Sequence, residues 1–598
     1  MNLKYEQIDL EQMEREMLEA LDDFRVGDIS EKEEALNRFH RLRDHYLTMY
    51  WTSYIHYLLD YKNETWIASE KFFGTAEGKM QEILHTYFVT LTNCDEKEWL
   101  KAYVGKRTLQ VAEVETKLYR DTVKEAIAKE KEEKMKYLKN IRTVSTMYDG
   151  SEKTLAKISP DLVNSDREVR KRANLARFDI FKKIQSENEE VLDQLIKIRN
   201  RMAEDLHYPS YVELSYDKLY RFGYCEKDIK AFRQSIVTYL LPLMEQLRKM
   251  QRENLKVDAL YYYDVPILFS DGLSKPKGDV DEIVREASAM YHEMHPTFGN
   301  LFDRMKKEHY MDLEARDEKS NAGICTYLPD QHMPLFIASF HKTNHDIDVI
   351  RHEFGHSVQL YESRNLRYHE NRWPSFDVCE IHSQAMEYFG WNYLDRFFES
   401  EEETNRYRIE KLVHDLELLL YACQVDEFQH EIYHHPEYSK QKRNEVWNQL
   451  DEKYQPYVDK EQNDYLLHGA GWQKQSHIIT DPFYYIDYAL SLTVALQFFV
   501  QMEKDEKKAY EDYLKFCRMG GSKSFVEYID ALGFSSPFEP ETIREIANIL
   551  ESKIEQLHKQ DIRQKKKGRK RNEDEKSFKS SMDRAWISLS GTWYDRNC

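Results

Sequence analysis

No run of 18 apolar residues occurs in this 598-residue sequence, and its mean hydropathy is −0.77, so no transmembrane helix is expected. The opening residues, Met1-Asn2-Leu3-Lys4-Tyr5-Glu6-Gln7, lack the apolar core of a secretion signal. Cysteine is scarce. The 7 present are scattered without a C-x-x-C pair, which excludes a disulfide framework and a cysteine-bound metal site. These absences together point to the cytosol. Proline and glycine are sparse as well, at 14 and 19, and long stretches contain few of either. An excess of positive charge is also missing. The formal net charge of −20 argues against nucleic acid as a partner of the main body.

What is present describes a folded chain. Aromatics at 13% and hydrophobics at 41% suit a large globular core, and the length allows several domains. Helical patterning runs through residues 8–60, 65–90, 110–145, 165–205 and 226–255. Strand candidates are fewer: residues 265–269, 323–328 and 335–340. The densely charged segment 117–139 reads as a solvated helix face. Residues 561–598 differ from the rest. They hold 11 Lys+Arg against 6 Asp+Glu, a net +5, which leaves −25 on residues 1–560. With the basic cluster 565–571, this end reads as a disordered tail.

One pattern carries chemistry. His352-Glu353-Phe354-Gly355-His356 reads H-E-x-x-H. On a helix, residues i and i+4 share a face, so both imidazoles can bind one ion, while Glu353 reaches a water held there. Apolar Ile347, Val349, Ile350, Phe354, Val358 and Leu360 support a helix from about Asp346 to Glu362. Gly355 costs roughly 1 kcal/mol in such a helix, and close approach of a neighbouring backbone is one reason to keep it. The motif occurs twice, however, and chance alone supplies roughly 0.1 matches in a chain of this composition. In the second match, His430-Glu431-Ile432-Tyr433-His434, Pro436 follows almost at once and ends the helix. That pair reads as a polar face at a helix end.

The third ligand sets the subclass. A metzincin needs Gly at 359 and His at 362, but Gln359 and Glu362 stand there. A Glu on a separate helix fits better. Trp373-Pro374-Ser375 reads as a helix start, and helical periodicity follows over residues 376–398. Glu380 is the third ligand expected, and Glu387, seven residues on, shares its stripe. Glu387 or Asp348 is placed to orient a ligand histidine from behind. Two imidazoles and a carboxylate hold one Zn²⁺ per chain with a position left open for water, whose pKa then falls to roughly 7.

These residues are similar to peptidase family M3, the zinc oligopeptidases, in its oligoendopeptidase F and Pz-peptidase branch. The match rests on His352–His356 and on Glu380-Ile381-His382-Ser383-Gln384-Ala385-Met386-Glu387. It extends to Gly323-Ile324-Cys325-Thr326-Tyr327, Pro334-Leu335-Phe336-Ile337, Gly471-Trp472-Gln473, His477 and Asp481-Pro482-Phe483-Tyr484-Tyr485-Ile486-Asp487-Tyr488. It runs from near the N-terminus to about residue 558. The resemblance implies a mainly α, zincin-type fold with a small β-sheet beside the metal helix and a deep central cleft. It implies that Glu380 completes the zinc site and that Glu353 is the general base. It also implies that a His and Tyr pair stabilises the tetrahedral intermediate, mapping best to His477, Tyr485 and Tyr488. Tyr484 is adjacent and lies at i, i+4 from Tyr488, so the tyrosine register stays open.

Residue by residue, Asp481 and Pro482 read as an N-cap and N1 pair that starts a helix. His468-Gly469-Ala470-Gly471 reads as a flexible loop before it. The organisation expected is an N-terminal helical region (1–200) forming part of the cleft wall, a catalytic region (201–560) and the basic tail (561–598). The activity expected is hydrolysis of internal bonds in short oligopeptides. A metallocarboxypeptidase or peptidyl-dipeptidase is the alternative, and it needs a fixed cation for the substrate's terminal carboxylate. A helical scaffold with an accidental motif is the non-enzyme reading.

Overall fold

The computed structural model describes residues 1, 3–320 and 323–560. Helices dominate it, broken where the sequence offers a cap. The first stretch divides at Gly27-Asp28 into Leu10–Val26 and Ile29–Leu59, where Asp28 and Glu31 form a reciprocal capping box. Glu64–Thr92, Lys106–Leu118, Asp121–Thr143 and Arg167–Asp205 follow. The next stretch splits at Leu240 into Glu226–Tyr239 and Leu241–Leu255, with Pro242 in the first turn of the second.

Two of the three strand candidates form. Ile324–Leu328 pairs antiparallel with Met333–Phe340, and Met311–Glu314 pairs parallel on the other side of that central strand. Residues 265–269 do not form a strand. They make a turn around Pro266, where a carbonyl acceptor is supplied to side chains instead: Gln251 Nε2 donates to Val265 O at 3.2 Å and Ile267 O at 2.7 Å. Residues 376–398 also depart from the expected single helix. The α-helix ends at Phe389, and Gly390–Arg396 continues as 3₁₀ turns. Gly390 is where Arg351 crosses, and a Cβ there would lie 2.6 Å from Arg351 Cδ.

The largest apolar core gathers side chains from residues 123–557 around the helices Asn344–Glu362, Phe376–Phe389, Glu401–His434 and Tyr485–Lys504. A second core belongs to residues 8–112, with Tyr368 inserted into it. Polar contacts join the two around the segment that links the first two of those helices. Arg43 binds Glu370 at 2.5 Å in a buried pair, and Arg372 binds Asp44. Asn371 Nδ2 donates to Val104 O and Thr108 Oγ1, both at 3.0 Å. The N-terminal helices thus grip residues 370–372 directly.

Candidate active site

The helix Asn344–Glu362 starts two residues before the expected Asp346. Its N-cap is Thr343, and Asp346 accepts from the backbone N–H of His341 and of Thr343, each at 3.0 Å. His352 and His356 lie one turn apart on this helix, with ring centroids 4.9 Å apart. Phe376–Phe389 packs against it. Gly355 is the contact point: a Cβ there would fall 2.5 Å from His382 O and 2.6 Å from Ser383 Cα. Tyr513 closes the seam, donating at 3.2 Å to Gly355 O and at 2.9 Å to His382 O.

This close approach brings Glu380 onto the histidines. Its Oε2 lies 3.4 Å from His352 Nε2 and 3.7 Å from His356 Nε2, and the three donor atoms all lie within 4.8 Å of one another. With metal–ligand bonds of roughly 2.0–2.1 Å, adjacent tetrahedral donors stand about 3.3 Å apart. The donor set therefore fits a zinc-sized cation. The tautomer fits as well. The Nδ1–H of His352 donates at 2.7 Å to Glu387 Oε1; the carboxylate can only accept, so the neutral ring keeps its Nε2 lone pair free. Glu387 in turn binds Lys411 at 2.9 Å, and Lys411 binds Asp415 at 2.5 Å, all three buried. Asp348, the other candidate for orienting a ligand, turns away to Arg351 at 2.9 Å and to Tyr407.

Electrostatics mark the site for positive charge. Burial works against a protonated His352, yet Glu380 and Glu387 raise its pKa well above the usual imidazole range. His356 has only the Cys379 thiol beside its Nδ1, at 3.5 Å, and burial lowers it to about 4. Glu380 is disfavoured by burial, but the two histidines and Tyr484 bring it down to about 2. Glu353 is pushed up to about 7 by burial. It faces the start of the edge strand Ile324–Leu328: a Cβ on Gly323 would lie 3.3 Å from Glu353 Oε1.

On the aromatic side of the site the three tyrosines take different positions. Residues 481–484 do not begin the helix. Phe483 takes a left-handed φ of 67°, and the helix starts at Tyr485. That turn sends Tyr484 toward the candidate metal ligands, where its hydroxyl donates at 2.9 Å to Glu380 Oε1. Tyr488 packs at a tilt against Tyr484, centroids 5.1 Å apart, and the His477 ring lies 5.7, 4.9 and 6.2 Å from those of Tyr484, Tyr485 and Tyr488. Tyr485 faces outward from the ligands, its ring 5.9 Å from that of Tyr421. Burial raises all three phenols, Tyr485 to about 12 and the others further, so each is a proton donor at neutral pH. Residues 468–471 are also firmer than expected. Gly469 (φ 73°) approaches Asn444 so closely that a Cβ would meet its carbonyl oxygen at 2.0 Å, and Ala470 and Gly471 are buried.

The second H-E-x-x-H is dismantled by its surroundings. His430 is buried, not on a polar face; its Nδ1 lies 3.2 Å from Asp426 Oδ2 and 2.9 Å from Arg233. His434 ends the helix and turns to Glu226 at 3.0 Å. The basic segment 561–598 lies outside the described residues.

A family model described as "Peptidase family M3" matches residues 162–548, and one described as "Peptidase M3 N-terminal domain" matches residues 1–119. A solved putative oligoendopeptidase F is 36% identical, with a TM-score of 0.87 over 93% of this chain and 98% of its own. A solved Pz peptidase A with a bound inhibitor is 34% identical, again with a TM-score of 0.87, over 93% and 99%. Oligopeptidase PepF of Bacillus subtilis (strain 168) is 22% identical over 424 residues, 68% of this chain and 60% of its own length. The chain therefore spans less than two thirds of that relative.

Proposed function

Because the chain belongs to peptidase family M3, we propose that it is a cytosolic zinc metallopeptidase that hydrolyses internal bonds of short oligopeptides. The observation that carries this reading is the convergence of His352 Nε2, His356 Nε2 and Glu380 Oε2 on one point. His352, His356 and Glu380 would hold the ion, which when bound supplies Lewis acidity to water and to the substrate carbonyl. Glu353, half-buried and free of ion pairs among the described residues, takes the proton of the attacking water on its carboxylate. It then delivers that proton to the leaving amine nitrogen. Tyr488 and His477 donate hydrogen bonds where negative charge develops on the carbonyl oxygen. Tyr484 steadies Glu380 from behind, and Tyr485 presents its ring to the substrate. The edge strand Ile324–Leu328 offers main-chain groups to an extended peptide. A neighbouring cavity of about 500 Å³ suits a peptide segment and is too small for a folded domain. No helix among the described residues is long and apolar enough to cross a membrane, and the six described cysteines are all free, which suits a reducing compartment.

The test is a quenched-fluorescent peptide blocked at both ends. The protein should cleave it, lose activity to a chelator and regain it with Zn²⁺. Glu353→Gln should keep stoichiometric zinc and lose at least ~10³ of the rate, since it can neither take nor return a proton. Near-normal hydrolysis by that variant would overturn its role, and an intact blocked peptide would overturn internal cleavage.

A further inference from the structure

The cavity beside the tyrosines has a second wall that the proposed chemistry does not use. Tyr485 and Gln475 form the near wall, and Gln475 Nε2 lies 2.7 Å from His477 Nδ1, so cavity and candidate site share it. Arg177 and Lys474 stand in the lining as well. Among the described residues neither forms an ion pair. Arg177 Nε is buried without a hydrogen-bond partner. Its closest companion of note is the Phe178 ring, 4.9 Å from Cζ, while Lys474 Nζ lies 5.0 Å from the Tyr421 ring. The carboxylates in the neighbourhood are already matched: Glu417 binds Arg248, and Asp451 binds Lys460 at 2.9 Å. Lys474 remains accessible from the cavity. Burial, with Arg177 beside it, lowers its pKa to about 8. Two unmatched cations facing one cavity, in a chain of net charge −20, form a local site for an anion. Without one, the buried Arg177 Nε keeps a desolvation cost that no hydrogen bond offsets.

We propose that Arg177 and Lys474 form a carboxylate-binding subsite, which anchors a peptide substrate through its C-terminal carboxylate or an Asp or Glu side chain. The long helix Glu401–His434 gives the spacing. Lys411, bound to Glu387 behind the metal ligands, and Tyr421, in the cavity lining, are ten residues apart on it, ~15 Å of helix rise. An extended peptide covers that span in about four or five residues. With Lys474 5.0 Å from the Tyr421 ring, that rise sets the scale on which the test places the carboxylate from the bond that is cut. This proposal rests on the peptidase reading and names the substrate class that the site prefers.

The experiment compares one peptide core in three forms: free C-terminal acid, C-terminal amide, and amide with Glu replacing Gln four or five residues from the cleaved bond. A charge-assisted hydrogen bond to the half-buried Arg177 guanidinium favours the carboxylate forms by roughly tenfold or more in kcat/KM. A preference that follows the acid and amide pair identifies the terminus as the source; one that follows Glu over Gln identifies the side chain. In Arg177→Met and in Lys474→Met the preference should fall toward one, and in Lys474→Glu it should turn toward a peptide carrying Lys at that position. Thermal melts confirm that each variant is folded, and Lys474, being accessible, is the safer site if Arg177→Met is not. The same labelled peptides are then bound to Glu353→Gln protein and followed by fluorescence anisotropy, with and without Arg177→Met. Tighter binding of the carboxylate forms, lost with Arg177, supports the subsite even if no peptide is cleaved, in which case the peptidase reading alone fails. Equal binding and equal turnover of all three forms by the wild type, or a preference unchanged in folded variants, overturns it.

Discussion

Replacing Gly355 with Ala tests whether helix packing builds the metal site. In an unpacked helix the change stabilises by roughly 1 kcal/mol, through helix propensity alone. Here the new Cβ would lie 2.5 Å from His382 O, 2.6 Å from Ser383 Cα and 3.0 Å from His382 C. Ordinary contacts of this kind begin near ~3.5 Å. All three atoms are backbone, so no side-chain tip can swing aside, and the Glu380 helix must retreat by about 1 Å. Overpacking of this kind costs ~1–3 kcal/mol, which outweighs the propensity gain across most of that range. The same retreat carries Glu380 Oε2 away from imidazoles now at 3.4 and 3.7 Å, beyond the donor spacing that a zinc-sized ion accepts. The expected outcome is a metal-free protein less stable by up to ~2 kcal/mol and a zinc affinity at least tenfold weaker. Denaturant melts of the metal-free protein and competition against a chromophoric chelator read the two separately. Gly78→Ala is the control. It lies within the helix Glu64–Thr92, and a Cβ there meets nothing within 4 Å, so it should stabilise by roughly 1 kcal/mol. If Gly355→Ala also stabilises and binds zinc like the wild type, the packing argument is wrong.

Glu387→Gln removes the carboxylate that fixes His352 and leaves Lys411 half unmatched; zinc affinity should fall ~10–100-fold, and an unaltered chelator titration would count against it. Tyr484→Phe deletes the donor to Glu380 Oε1, and activity is expected to fall ~10–100-fold through kcat, whereas Tyr485→Phe should act mainly on KM; equal effects on kcat would remove the distinction drawn between the two rings. Glu410 titrates in the native state. Burial raises it to about 7, although Ser274 and Asn344 donate to it at 2.5 and 3.1 Å. Between about pH 4.5 and 7 the folded state then binds more protons than the unfolded one, so this group's contribution is full below 4.5 and is lost as pH rises through 7. Glu410→Gln, which keeps the protonated shape, should match the wild type at about pH 4 and exceed it at about pH 8 by at most ~3 kcal/mol; parallel stability–pH curves would refute the shift.

Local signals served well where the chemistry is local. The i, i+4 histidines and the strand candidates 323–328 and 335–340 are written in neighbouring residues, and the structure has elements there, whereas the capped break at Gly27-Asp28 and the helix start at Thr343 went unread. Glu380 was legible because it lies on the next amphipathic helix and because Gln359 and Glu362 leave no nearer ligand. Lys411 was not legible, since its link to Glu387 joins helices 24 residues apart and only packing brings them together. Tyr484 was ambiguous for a different reason. Three tyrosines within five positions cannot be ordered by periodicity when the helix boundary is unknown, and a left-handed φ at Phe483, a bulky residue, is not something propensity foresees. The same limit misplaced the helix start at Asp481 and the strand at residues 265–269, where Pro266 and the needs of Gln251 prevailed over a short apolar run.

The grip of the N-terminal helices on residues 370–372 has a consequence for how such a protein is inherited. The two stretches matched by separate family models look like exchangeable modules, yet the connection between the two ligand-bearing helices is anchored in the first of them. A chain that exchanged residues 1–119 for a segment lacking Arg43 would leave Glu370 a buried carboxylate without its arginine and loosen the connection that leads to Glu380. An exchange at that border is therefore felt at Glu380, more than two hundred and fifty positions away.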